Sequence, residues 1–96
     1  MKNLIKTKII ATIGPASNTE EKIKELIIAG AGIFRINSSH GSKEEHEKNI
    51  RTIRKVASGL NLYIPIILDL QGPKIRVGNL KEPIELIDGQ TVTIKP

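Results

Sequence analysis

The chain has no cysteine. That excludes disulfides and thiolate metal sites, and it suits a reducing cytoplasm. There is no tryptophan, one phenylalanine and one tyrosine, so only Phe34 and Tyr63 could stack on a base. The formal net charge of +5 raises the question of nucleic acid. The basic residues, however, are spread along the chain and interleaved with Glu, whereas polyanion-binding modules concentrate them on one element. No apolar run approaches the length of a membrane span. The start Met1-Lys2-Asn3-Leu4-Ile5-Lys6 is too short and too charged for a secretory signal. No Gly-x-Gly-x-x-Gly follows the first apolar run, which disfavours a dinucleotide-binding fold. Internal repeats and low-complexity segments are absent as well. The expectation is a cytoplasmic globular protein without a nucleic-acid or membrane partner, for which a phosphorylated small molecule is the favoured ligand over a polyanion.

The 96 residues suffice for one small domain and not for two. Thr7 to Ile13 is β-branched and apolar, and reads as a buried strand ended by Gly14-Pro15. Ser17 to Glu20, or Asn18 to Glu21, has the spacing of a capping box and opens a helix. Ile23, Leu26 and Ile27 form its apolar face, and Gly30 or Gly32 stops it. A second strand covers Ala31 to Asn37. Ser42 and Glu45 make another capping box, with Ile50, Ile53 and Ala57 on the buried face, His46 near the start and Gly59 at the close. Ile64 to Leu70 is a third strand. The order β-α-β-α-β, with apolar strands and amphipathic helices, predicts an α/β fold with a parallel sheet. A (β/α) barrel fits it, although three strands cannot close one. Beyond Gly72 to Arg76 the pattern changes. Ile84 to Ile87 and Thr91 to Ile94 read as short strands around the hairpin turn Asp88-Gly89. The expected division is residues 1–73 in the α/β part and 74–96 at the start of a small all-β domain.

One stretch concentrates chemistry: Ile33-Phe34-Arg35-Ile36-Asn37-Ser38-Ser39-His40-Gly41. Period-2 alternation puts Ile33, Arg35 and Asn37 on one face and Phe34 and Ile36 on the other. An unpaired guanidinium buried among them would cost several kcal/mol, on the order of the penalty for any isolated charge. Arg35 must therefore meet an anion, either a protein carboxylate or a ligand. Asp69, at the end of the next strand, is the carboxylate candidate, in which case Arg35 is structural. Asn37 and Ser39 could equally cap the turn into the second helix, His40 could be an ordinary surface histidine, and His46 reads as structural. Lys74 and Arg76 could be edge charges that discourage strand pairing.

Three segments in order carry a family resemblance: Thr12-Ile13-Gly14-Pro15-Ala16-Ser17, the stretch Phe34 to Gly41, and Leu68-Asp69-Leu70-Gln71-Gly72-Pro73-Lys74-Ile75-Arg76. Each ends a predicted strand, and together they resemble the first three signature blocks of pyruvate kinase. The resemblance implies the first three β/α units of a (β/α)8 TIM-type barrel, followed by the first strands of an inserted β-barrel lid. It implies phosphoryl transfer from phosphoenolpyruvate to ADP, giving pyruvate and ATP in glycolysis. By resemblance Arg35 holds the phosphate in transit. Asn37, Ser38, Ser39, His40 and Arg76 line the nucleotide. Asn37, Ser39, Asp69 and the carbonyl of Leu70 surround a monovalent cation, usually K⁺.

Many family members have Glu where Lys74 stands, and Thr and Lys where Leu70 and Gln71 stand. Members with Lys at position 74 are generally potassium-independent, so the ammonium of Lys74 is expected to replace the ion. The family's catalytic lysine, its Mg²⁺-binding Glu and Asp, and a threonine near the transferred proton have no counterpart in these 96 residues. The chain therefore reads as an N-terminal fragment that needs the remainder of a usually homotetrameric enzyme and is inactive alone. It is also expected to be marginally folded or insoluble by itself. Two other readings are a stand-alone phosphate- or nucleotide-binding module and one half of a split enzyme.

Overall fold

The structure is a computed structural model that describes residues 6–96. The stretch preceding Lys6, which includes most of the charged start, lies outside the described residues. Strand β1 (Ile10–Thr12) leads into helix α1 (Glu20–Ala29), strand β2 (Ile33–Asn37), helix α2 (Lys43–Gly59) and strand β3 (Ile66–Asp69). The three strands form one parallel sheet in the order β1-β2-β3. Thr12 pairs with Arg35, Arg35 with Ile67, and Asn37 with Asp69.

The helix ends follow from local chemistry. Thr19 is the N-cap of α1, its hydroxyl accepting from the Lys22 amide at 3.3 Å. This corrects the two capping boxes expected at Ser17 and Asn18. Ser17 instead closes the turn before the helix: the Gly14 amide donates to Ser17 Oγ at 3.0 Å, and the Ser17 amide donates to the Gly14 carbonyl at 3.0 Å. Gly30 ends α1 in the left-handed region at φ +118°, which a side chain would resist. The box of Ser42 and Glu45 forms as expected at the start of α2. Gly59 remains helical, and Asn61 takes the positive φ of +54° after it.

Both helices cover the same face of the sheet. Ile23 and Ile27 of α1 and Ile53 of α2 pack with Ile13, Phe34 and Ile36 in one buried cluster. Phe34, Ile23, Ile36 and Ile53 are fully buried. Each contributes roughly 1.5–3 kcal/mol relative to exposure. Register places Thr12, Arg35, Asn37, Ile67 and Asp69 on the opposite face. Among the described residues no helix covers that face, and Ile10 and Ile67 on it are 50% and 41% exposed.

Beyond Asp69 the described residues contain no strand or helix. The pair of strands expected at 84–87 and 91–94 is not formed, although its turn is. Gly89 sits at φ +78° and the Gln90 amide donates to the Ile87 carbonyl at 3.1 Å. Two strands with no third to pair with and no apolar layer to cover are marginal in water. The turn chemistry is local and survives, while strand pairing needs partners that residues 74–96 do not supply.

Candidate functional site

The C-terminal ends of the three strands bring the polar residues together. Arg35 is the third residue of a five-residue strand, so its side chain leaves the sheet on the face without helices. Its Nε donates to Asp69 Oδ2 at 2.9 Å, and its Nη2 forms an ion pair with the same oxygen. Nη1 donates to Thr12 Oγ1 at 3.3 Å. The guanidinium thus touches side chains from both neighbouring strands. Of the two anions foreseen for Arg35, the protein carboxylate is the one it meets. The side chains are 32% and 47% exposed, so the pair is worth under about 1 kcal/mol. The arginine expected inside an apolar strand is therefore only half-buried, because the face it occupies is open.

The loop after β2 is tied back to β3. The Ser38 amide donates to the Asp69 carbonyl at 3.0 Å, and Ser38 Oγ donates to the same carbonyl at 2.5 Å. Asn37 Oδ1 accepts from the Ser39 amide at 3.1 Å, an Asx-type turn that reverses the chain. The turning role foreseen for Asn37 is thus present. The His40 amide donates to the Asn37 carbonyl at 3.4 Å. Next, the Ser42 amide donates to Glu45 Oε2 at 2.9 Å, and the Glu45 amide donates to Ser42 Oγ at 3.2 Å. His46 lies one residue further into the helix, with Nε2 at 2.5 Å from the His40 carbonyl. That contact was not legible in the sequence, where His46 read as structural. The only sequence signal is its place on the first turn of the helix that the loop enters.

Between this loop and the Gly14-Pro15 turn lies a cleft of about 610 Å³. Asn37 and His40 line it together with Pro15, Asn18, His46 and Asn49. Arg35, Ser38, Ser39 and Asp69 do not line this cleft; hydrogen bonds join Arg35 and Ser38 to Asp69, and Ser39 to Asn37, at the same ends of the strands. Leu70 follows Asp69 directly, outside the strand. Lys74 and Arg76 are not brought there. They line a separate shallow depression with Ile75 and Val77 on the extended, exposed segment after β3. Nothing folds that segment back, because it makes no pairing with the sheet.

Among the described residues no group of three or more His, Cys, Asp or Glu is placed to hold a metal ion. The oxygens of Asn37, Ser39, Asp69 and Leu70 are a different donor set. They are hard donors of the kind a monovalent cation takes, and Asn37 and Asp69 are register partners on one face.

Comparison with known proteins bears on this rim. The family model described as the pyruvate kinase barrel domain matches residues 4–95. The pyruvate kinases of Staphylococcus aureus strains USA300 and NCTC 8325 / PS 47 are each 53% identical over 90 residues, covering 93% of this chain. The chain spans 15% of the length of these curated relatives. The crystal structure of a pyruvate kinase from Cryptosporidium parvum superposes with a TM-score of 0.67 at 41% identity, over 70% of this chain and 14% of that one.

Proposed function

Because the chain belongs to the pyruvate kinase barrel-domain family, we propose that it contributes the phosphate-binding rim of a phosphotransferase moving a phosphoryl group from phosphoenolpyruvate to ADP. In this reading the three strands are the first three β/α units of a (β/α)8 barrel, with the helix-free face turned inward. The observation that carries the proposal is the gathering of Thr12, Arg35, Asn37 and Asp69 at one rim, beside the loop from Ser38 to Gly41. Open α/β sheets and barrels place their sites at this end of the strands.

Phosphoryl transfer is mostly positioning and charge neutralisation, so the residues needed are donors at fixed places. Arg35 is held by two strands and points along the open face. Its bond to Asp69 is half-exposed and weak, so a phosphate carrying about two negative charges competes for the guanidinium successfully. Asn37, Ser38, Ser39 and His40 face the nucleotide phosphates, and Arg76 reaches them once the segment after β3 is ordered. Asn37, Ser39, Asp69 and the Leu70 carbonyl would surround the positive charge that offsets that of the substrates, and the ammonium of Lys74 would supply it in place of a free monovalent cation. Mg²⁺ would neutralise phosphate charge in such a transfer, and the family resemblance implies that its ligands lie on later barrel strands.

A chimera tests this reading. The matching segment of the Staphylococcus aureus USA300 pyruvate kinase is replaced by this chain. The chimera is expected to turn over phosphoenolpyruvate and ADP with Mg²⁺. Arg35→Met should cost about 100-fold or more in kcat, the usual loss of a transition-state clamp. A folded chimera with no turnover refutes the proposal. The 96-residue chain alone should show no turnover above background.

A second reading is favoured by the open sheet face: the chain functions by pairing with a separate polypeptide that covers Ile10 and Ile67. Mixing the chain with the remaining segment of the relative, expressed separately, would then restore activity. Saturable binding of ADP or phosphate by the chain alone would instead favour a stand-alone module.

A further inference from the structure

We propose that His46 is a positioning residue for the phosphate-binding loop, clamping the His40 carbonyl from the first turn of α2. The inference rests on the function proposed above and adds to it a residue that does not belong to the rim. The carbonyl can only accept, so Nε2 of His46 carries the proton and donates across 2.5 Å. His46 is half-buried, whereas Lys43, Glu44 and Glu45 before it are exposed. Its ring is therefore packed onto the loop and does not extend into solvent.

The loop needs such a clamp at this point. Its start is bolted to β3 by two bonds from Ser38 to the Asp69 carbonyl. Its end is bolted to α2 by the reciprocal bonds of Ser42 and Glu45. Among the described residues, the middle, His40-Gly41, has only the long 3.4 Å bond from the His40 amide besides the His46 contact. Gly41 lets the helix close down. Its φ is +76°, and a Cβ there would lie 2.6 Å from Glu45 Oε2 and 3.3 Å from His46 Nε2. With His46 in place, the His40 peptide is held at the edge of the cleft, and Ser38 and Ser39 before it are held with it. Without it the His40 peptide swings, and donors aimed at a nucleotide phosphate lose their aim. Misplacement of about 1 Å is costly in a site that works by positioning.

His46→Ala and His46→Gln in the chimera test this, since the Gln amide offers an N–H of similar reach. For His46→Ala, the KM for ADP should rise about threefold to tenfold, the worth of one hydrogen bond, with a smaller change in kcat. His46→Gln should recover most of the loss. Hydrogen–deuterium exchange over residues 37–42 should quicken in the Ala variant and return toward normal in the Gln variant. A KM for ADP that does not move overturns the inference. So does a parallel fall in kcat and melting temperature that Gln fails to rescue. If the parent chimera is folded but inactive, the function proposed above fails, and the exchange of residues 37–42 alone decides the role of His46.

Discussion

At the scale of single residues, the decisive question is what the Arg35–Asp69 pair is for. A pair that holds the fold together would be dry and doubly anchored. This one is half-exposed, and both nitrogens share a single carboxylate oxygen. Asp69→Asn in the chimera should therefore cost less than about 1 kcal/mol in a urea melt. A loss of about 3–5 kcal/mol, typical of breaking a buried pair, would make Arg35 a structural residue instead. Lys74 is argued at the same scale. In the function proposed above its charge would be brought near the cation donors by the rest of the protein, and an added ion would then be redundant. The chimera should run at nearly the same rate with and without KCl, and Lys74→Glu should introduce a strong KCl requirement. A large gain by the parent chimera on adding KCl would refute the idea. Arg35 was legible as a residue in need of an anion because alternation and charge are visible in the sequence. Which anion it meets depended on Asp69 arriving beside it from 34 residues away.

At the scale of elements, short-range patterns carried well and their fine print did not. Ser42 and Glu45 cap α2 as their spacing demands, and Gly30 stops α1. The cap of α1 moved to Thr19 because Ser17 is engaged by the Gly14 turn, a competition that spacing alone cannot rank. Two glycines give a contrasting pair of predictions. Gly41→Ala places a Cβ against Glu45 at a left-handed φ and should lower stability by about 1–2 kcal/mol. Gly59→Ala meets nothing within 4 Å at a helical position and should be neutral or stabilising by up to about 1 kcal/mol. Thermal melts of both variants in the chimera check the contrast, and equal effects would contradict it. The strands expected at 84–87 and 91–94 failed for a reason of the same scale: a turn forms from four residues, whereas a hairpin needs a sheet to join.

At the scale of the whole molecule, the described residues do not make a compact body. The radius of gyration is 18.4 Å, against about 13 Å for a compact domain of this size. The segment after Asp69 is exposed throughout, and the sheet shows one bare face. Among the described residues the core comprises eight buried apolar residues, which is small for a chain of this length. The isolated chain should melt broadly or aggregate through the free β3 edge. A soluble monomer with a sharp cooperative transition would show the core to be sufficient. Ile53→Ala, which empties a fully buried position, should cost about 2–5 kcal/mol in the chimera and remove residual structure from the isolated chain.

The sequence by itself determined the order of the elements through Asp69, the parallel sheet, the grouping of Arg35 with Ile33 and Asn37 on one face and the family to which the chain belongs. Each of these is written in local periodicity, capping spacing or short ordered blocks. Tertiary structure alone decided that both helices share one face, that Asp69 and Thr12 meet the guanidinium, and that His46 reaches the His40 carbonyl. Those outcomes depend on strand register and on the angle at which a helix leaves its loop. Both are set by packing between segments distant in the chain, which no local pattern records.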